Sequence, residues 1–260
     1  MKKNQISDDG AVLKADFACL TDKGKVRANN EDNVAIDAAL GLAVVADGMG
    51  GHNAGELASS LAVGTMKETL ADMARGEIPY MAIDPDLSQE ANQLSYAASA
   101  ANLQILSDKC PENQGMGTTL TAVLVRGRKG TIIHIGDSRI YLLRDQALTQ
   151  LTNDHSLVAE HVRSGVLTEL EARQSTLQNI LTRALGINAD IMLDVEELEL
   201  KAGDKLLLCT DGINKVVSNE QIRQVMIAKA EPGDICKELV DMSLAAGAPD
   251  NVTVAVVNLY

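Results

Sequence analysis

The segment VVADGMGGHNAGE, residues 44–56, joins an apolar run to an aspartate and then to three glycines within four residues. The surrounding run, GLAVVADG, is short, continuous and bounded by glycines, which is typical of a buried strand. Folding alone does not require a carboxylate at the end of such a strand. Asp47 is therefore a candidate for a chemical role.

The composition favours one domain over residues 1–260, with residues 1–14 as a frayed N-terminus or a short edge strand. A net charge of -13 repels phosphate backbones, and an aromatic content of 2% leaves few platforms for base stacking, so we expect no nucleic-acid partner. The four cysteines contain no CxxC pair and are read as reduced thiols. No apolar run approaches the roughly 18 residues of a membrane span, which predicts a cytoplasmic protein with no membrane contact. A monomer is the default expectation for the oligomeric state.

Hydrophobic periodicity predicts an α+β fold. Helices are expected over residues 53–75 and 87–109, followed by strands over 118–152 that read as an antiparallel meander. A polar, helix-forming segment over 154–185 interrupts the strands. GDKLLLCTDG then predicts a buried strand, two helices follow, and DNVTVAVVNLY closes the chain with a strand. This order indicates antiparallel sheets with helices packed outside them.

Carboxylates recur where the predicted strands end. Three apolar runs, VVADG, IIHIGDS and LLLCTDG, end in Asp47, Asp137 and Asp211, and Asp250 opens the last strand in PDNVTV. Any one of these, taken alone, is better explained as a turn residue. If the strand ends converge, however, the four like charges are costly unless a cation neutralises them. Oxygen ligands without clustered Cys or His favour Mg2+ or Mn2+ over zinc.

Three further features fit this arrangement. Glu31 and Asp32, in NNED, add carboxylates, and the missing side chain of Gly48 lets its carbonyl oxygen approach an ion closely. Arg27, four residues before Glu31, can pair with a phosphate in a bidentate manner. Together these residues describe an acid-rich metal cradle with one phosphate-binding arm.

Six motifs occur in an order that resembles a known family: VRANNED, VVADGMGGHNAGE, GMGTTLTA, HIGDSRIYLL, LLLCTDG and PDNVTV. They are similar to those of the metal-dependent protein serine/threonine phosphatases of the PP2C-like (PPM) family, bacterial branch, over roughly residues 16–258. The resemblance implies a four-layer α-β-β-α sandwich, in which two antiparallel β-sheets are flanked by helices. It also implies hydrolysis of phosphoserine and phosphothreonine in proteins, with two or three Mn2+ or Mg2+ ions and a bridging water as nucleophile.

The resemblance also implies roles for individual residues at two core ions. Asp47 would bridge the two ions, the Gly48 carbonyl would bind one of them, and Asp211 and Asp250 would complete the site. No protein nucleophile is needed, because phosphoryl transfer depends mainly on charge neutralisation and positioning.

Four more residues receive roles from the same resemblance. Glu31 and Asp32 would hold metal-bound waters or ligate directly. Asp137 would bind a third, weaker ion that shares Asp211, and Arg27 would bind the phosphate.

The proton donor to the leaving serine is left open. Many eukaryotic members of the family have a histidine directly after the DG pair, where this chain has Met49. A metal-bound water or His52 is a candidate donor, although a structural role for His52 is the competing interpretation. His155 is a second candidate, while His134 and His161 are read as packing or surface residues.

Residues 155–183 match the variable flap that lies beside the active site in this family, or equally form a solvated helical insertion. The resemblance implies phosphorylated Ser/Thr proteins as substrates and a cognate bacterial Ser/Thr kinase as partner. The alternatives are a metal-dependent phosphodiesterase or nuclease, disfavoured by the acidic composition, and an inactive phosphatase-like module that binds phosphoproteins. The presence of all the motif carboxylates disfavours the inactive module.

Overall fold

The computed structural model describes residues 13–50, 54–79 and 84–260. Within these ranges the strands form two antiparallel sheets. The strands are β1 (Ala15–Asp22), β2 (Asp32–Asp37), β3 (Leu42–Met49), β4 (Gly117–Thr118), β5 (Leu120–Arg126), β6 (Lys129–Ile135), β7 (Arg139–Arg144), β8 (Ala147–Gln150), β9 (Asp194–Glu199), β10 (Lys205–Cys209) and β11 (Val252–Leu259). Sheet I has the order β1-β11-β10-β7-β8, and sheet II has the order β2-β3-β5-β6-β9 with β4 paired to β3.

Helices cover the outer faces of both sheets. They are α1 (Ala54–Arg75), α2 (Gln89–Ser107), α3 (Leu157–Arg163), α4 (Glu169–Gln174), α5 (Asp211–Asn214), α6 (Asn219–Ala228) and α7 (Pro232–Ala245). The two long predicted helices are confirmed within a few residues, apart from position 53, which lies outside the described residues. None of the helices in the described ranges combines the length and apolar character that crossing a bilayer requires.

Three apolar clusters hold the layers together. Alternate residues of β3, such as Ala43 and Val45, pack between the sheets against β10 and β11, while Leu42 and Val44 pack outward against α1 and α2. A third cluster joins sheet I to α6 and α7. Because each central strand is covered on both faces, it reads as a continuous apolar run. The predicted four-layer α-β-β-α sandwich is confirmed.

The predicted antiparallel meander over residues 118–152 is wrong. β5 pairs with β6 and β7 pairs with β8, but β6 and β7 belong to different sheets. The chain changes sheet at residues 136–138, where Gly136 has a φ of 113° that favours glycine. This crossing leaves Asp137 at the end of the sandwich, between the two sheets.

The chain also contains a strand that periodicity did not predict. β9, with the sequence DVEELE, pairs with β6 at the edge of sheet II. Its charged residues have low strand propensity, and its pairing with β6 is long-range, so the local sequence gives little indication of it.

The register of the strands brings the ends of several strands to one end of the sandwich. The end of β3 and the start of β2 are adjacent, since Asp47 pairs with Asp32. In sheet I, the end of β10 lies beside the start of β11, since Cys209 pairs with Val254. Asp211 and Asp250 lie just beyond these two strands, so the fold brings together the carboxylates that the sequence placed far apart.

Candidate metal centre

The end of the sandwich carries a cluster of buried carboxylates. Asp32, Asp137 and Asp211 each expose less than a tenth of their surface. Burial, followed by the charges of Asp32, Asp211 and other members of the cluster, raises the pKa of Asp47 well above its usual range. The predicted convergence of the strand-end aspartates is therefore present, and their negative charges oppose one another.

Burial also raises the pKa of two other aspartates of the cluster. Burial, together with the neighbouring Asp211, raises the pKa of Asp137 to about 7. Burial also raises the pKa of Asp32 to about 7. The hydrogen bond that Thr210 Oγ1 donates to Asp32 Oδ2 at 2.7 Å acts in the opposite direction, because it favours the ionised carboxylate. Keeping such carboxylates ionised near neutral pH requires positive charge.

Threonine and serine hydroxyls fix the position of Asp47. The backbone N–H of Asp47 donates to Thr119 Oγ1 at 2.8 Å, and the hydroxyl of Thr118 donates to the Asp47 carbonyl oxygen at 2.9 Å. Thr119 Oγ1 also lies 2.9 Å from Ser138 Oγ, directly after Asp137. These contacts tie the two aspartates, which belong to different segments, to one shared framework.

Glycines allow very close packing around Gly48. Its N–H donates to the Glu31 carbonyl oxygen at 3.0 Å. A Cβ built on Gly48 would lie 2.0 Å from the Gly55 carbonyl oxygen, and one built on Gly55 would lie 2.8 Å from Glu31 Oε1. Neither position has room for a side chain. Two of the glycines in the motif are thus required by the approach of β3, the start of α1 and the loop before β2.

Asn251 anchors the loop that carries Arg27 and Glu31. Its side-chain oxygen accepts from the Glu31 N–H at 2.8 Å, and its Nδ2 donates to the carbonyl oxygens of Lys23 and Asn29 at 2.8 and 2.9 Å. Asn251 was not singled out in the sequence, although it lies within the PDNVTV motif.

The anchored loop places Arg27 next to Asp250. Arg27 Nη2 donates to Asp250 Oδ2 at 2.8 Å, and 48% of the arginine side chain remains exposed. Burial, opposed by the charge of Arg27, raises the pKa of Glu31. The guanidinium therefore stands at the solvent-facing edge of the carboxylate cluster, where a phosphate can reach it.

Lys215 introduces a positive charge that the sequence motifs did not indicate. It follows Asp211 by four residues across the short helix α5, and its ammonium group forms an ion pair with Asp211 Oδ2. Its Nζ also donates to Asn179 Oδ1 at 2.8 Å. A residue four positions along a helix lies on the same face, which explains this contact.

The donor set fits a divalent cation. Asp32 Oδ1 and Asp211 Oδ1 are buried and accept no hydrogen bond within the described part of the chain. Buried oxygens without partners are costly, and a divalent ion satisfies them with the oxygen ligands it prefers. In the described residues no group of three acidic, His or Cys side chains is already arranged as a ligand set, and Lys215 and Arg27 each engage one of the carboxylates.

Two of the described histidines, His134 and His155, have structural contacts. His134 is buried, in agreement with the packing interpretation, with its ring nitrogens 2.9 Å from Thr121 Oγ1 and 3.1 Å from the Asn153 carbonyl oxygen. His155, the second candidate for the proton donor, is 1% exposed; its Nδ1 accepts from the Gly136 N–H at 3.1 Å, and its Nε2 lies 3.1 Å from Asp194 Oδ2. Both of its ring nitrogens are occupied, so it supports the crossing segment next to Asp137. His52 lies outside the described residues.

Known proteins share this sequence and fold. PstP, a serine/threonine protein phosphatase of Mycobacterium tuberculosis, is 39% identical over 246 residues, which cover 94% of this chain and 45% of PstP. The chain thus spans less than half the length of that relative. Protein phosphatase PhpP of Streptococcus pneumoniae is 34% identical over 255 residues, covering 94% of this chain and 97% of PhpP.

A solved structure agrees with both matches. The catalytic domain of serine/threonine protein phosphatase PstP in complex with 2 manganese ions superposes with a TM-score of 0.82 at 38% identity, covering 95% of this chain and 99% of that domain. A sequence model described as Protein phosphatase 2C matches residues 24–242. The chain belongs to the protein phosphatase 2C family.

Proposed function

We propose that this protein is a metal-dependent protein serine/threonine phosphatase, which hydrolyses phosphoserine and phosphothreonine in proteins. The observation that carries the proposal is the convergence of buried aspartates at one end of the sandwich, where two carboxylate oxygens have no hydrogen-bond partner among the described residues. The family match and the manganese complex of the PstP catalytic domain support the same conclusion.

Two Mn2+ or Mg2+ ions would be held by Asp47, the Gly48 carbonyl, Asp211 and Asp250. When bound, the ions supply charge neutralisation for the phosphate and make hydroxide available near neutral pH. Glu31 and Asp32 would orient water or complete the ligand set. This role is supported by the pairing of Asp32 with Asp47 and by the hydrogen bond from the Gly48 N–H to the Glu31 carbonyl oxygen. The framework of Thr118, Thr119 and Ser138 would hold these ligands in fixed positions during turnover.

Arg27 would bind the phosphate of the substrate. Its side chain is half exposed and already pairs with a carboxylate oxygen, a geometry that a phosphate oxygen reproduces. An incoming phosphate would compete with Asp250 for the guanidinium, which frees the Asp250 oxygen for an ion. Substrate binding and completion of the ligand set would therefore favour each other.

We further propose that the substrates are proteins phosphorylated by a bacterial Ser/Thr kinase, because PstP is a bacterial serine/threonine protein phosphatase and PhpP is a bacterial protein phosphatase. Incubation of the enzyme with a phosphorylated bacterial Ser/Thr kinase domain tests this partner class. We expect loss of phosphate from serine and threonine, and no loss from a phosphotyrosine control peptide.

The activity itself is tested with a phosphothreonine peptide and with p-nitrophenyl phosphate, each in Mn2+, in Mg2+ and in chelator. We expect release of phosphate from both substrates that stops when the ions are removed. The proposal would be overturned if the protein is folded, as verified by circular dichroism, and releases no phosphate with either metal ion. That result would favour the inactive module that binds phosphoproteins.

A further inference from the structure

We propose that the ammonium group of Lys215 takes the place of the third cation, so that this chain binds two divalent ions where Asp137 and Asp211 would otherwise hold a third. The inference rests on the proposed function for the two core ions. It goes beyond that function, because it assigns the remaining positive charge to a side chain of the protein.

The first argument is the use of the two oxygens of Asp211. An aspartate that bridges a core ion and a third ion through its two oxygens needs both of them free. Oδ2 of Asp211 is engaged by Lys215, whereas Oδ1 is buried and has no hydrogen-bond partner in the described part of the chain. One oxygen is thus left for a core ion, and the other is already neutralised.

The second argument is that the ammonium group is held in place. Lys215 ends the short helix α5, and its backbone N–H donates to the Asp211 carbonyl oxygen at 3.0 Å. On its other side, Nζ donates to Asn179 Oδ1 at 2.8 Å. With 27% of the side chain exposed, Lys215 is more enclosed than a surface lysine such as Lys237, which is 73% exposed.

The third argument is charge repulsion at Asp211. The ammonium group of Lys215 pairs with Asp211 Oδ2, on one of the two carboxylates expected at the third ion. A divalent ion bound to the same oxygen would lie close to this ammonium group and would be repelled by it. The fixed positive charge therefore disfavours the third ion.

The contact with Asn179 adds a consequence for the flap segment, residues 155–183. Lys215 joins that segment to the carboxylate cluster through a single side chain. This contact is made by side chains of the protein itself.

The test is a count of bound Mn2+ per chain by equilibrium dialysis, up to millimolar free Mn2+. Lys215→Met removes the charge and keeps the length of the side chain, and Lys215→Arg keeps the charge. Lys229→Met is a matched control, because Lys229 pairs with Glu238 on the surface, with 39% of its side chain exposed. Circular dichroism verifies that each variant is folded.

We expect two ions in the wild type, in Lys215→Arg and in Lys229→Met, and a third ion in Lys215→Met that binds at least tenfold more tightly than any third ion of the wild type. Adding Asp137→Asn to Lys215→Met should remove this third ion. A wild type that binds three ions as tightly as Lys215→Met would overturn the inference and leave the two-ion phosphatase intact. Absence of bound ions in every variant would overturn the proposed function as well.

Discussion

Acidification should destabilise the metal-free protein through His134, and the size of the effect follows from its surroundings. His134 is buried in β6 with both ring nitrogens hydrogen-bonded. Burial, followed by the neighbouring His155, lowers the pKa of His134 from 6.5 to about 4. The hydrogen bond to the Asn153 carbonyl oxygen and the charges of Asp154 and Asp194 raise the pKa, but burial outweighs them. In the unfolded chain the same histidine is protonated near its usual pKa.

The sign follows from linkage. Because the folded pKa is depressed, the stabilisation is present above the unfolded pKa of 6.5 and is lost as the pH falls toward the folded value of about 4. Between pH 7.5 and pH 5.5 these two values give a loss of about 1.3 kcal/mol in the free energy of unfolding. The full difference, reached below both pKa values, is about 3.4 kcal/mol.

The assay is urea unfolding at both pH values, in chelator, for the wild type and for His134→Gln. Glutamine can still donate to the Asn153 carbonyl oxygen but cannot be protonated at these pH values. The wild type should lose about 1.3 kcal/mol more than the variant between pH 7.5 and pH 5.5. Equal losses in the two proteins would refute the assignment of a depressed pKa to this ring.

Three substitutions test the packing around the site. Gly48→Ala should lower the melting temperature and abolish phosphate release, because the new Cβ would lie 2.0 Å from the Gly55 carbonyl oxygen. Gly64→Ala is the control: Gly64 lies in open space on α1, and the substitution should stabilise the protein by about 0.5–1 kcal/mol. Thr119→Val should lower the free energy of unfolding in urea by about 1–3 kcal/mol and slow phosphate release at least tenfold, because the buried Asp47 N–H loses its acceptor. Thr131→Val is the control, because the Thr131 hydroxyl has no partner in the described residues, and it should be near neutral. Equal losses of stability in the two variants would contradict this reasoning. Asn251→Ala should lower the free energy of unfolding by about 2–3 kcal/mol, because three hydrogen bonds to the loop before β2 are lost. An unchanged urea midpoint would show that other contacts hold this loop.

The sequence was most informative where a buried strand ends in a charged residue. The apolar runs before Asp47 and Asp211 and after Asp250 became β3, β10 and β11, and the fold brings their ends together. Periodicity also predicted the long helices, because α1 and α2 bury one face against a sheet. The same local rules failed at Gly136, where a single turn carries the chain from one sheet to the other.

The supporting residues could not be found in the same way. Thr119 and Asn251 act through hydrogen bonds to segments more than 70 residues away, and a threonine or an asparagine in a strand or turn carries no local sign of such a partner. Lys215 resembles an ordinary lysine at the end of a helix until Asp211 is known to be buried. The fold therefore follows from periodicity, whereas the second layer of the site depends on tertiary contacts.

Phosphate release from a phosphothreonine peptide during titration with Mn2+, compared between the wild type and Asp47→Asn, tests the central claim most directly. Burial and the charges of the neighbouring aspartates raise the pKa of Asp47 well above its usual range, and Asp47 is the residue proposed to hold both core ions, so loss of its carboxylate should weaken ion binding. We predict saturable, Mn2+-dependent release by the wild type, and at least a hundredfold lower release by the folded variant at the same Mn2+ concentration. Release that persists in chelator, or that is unchanged in Asp47→Asn, would contradict a metal centre built on these carboxylates.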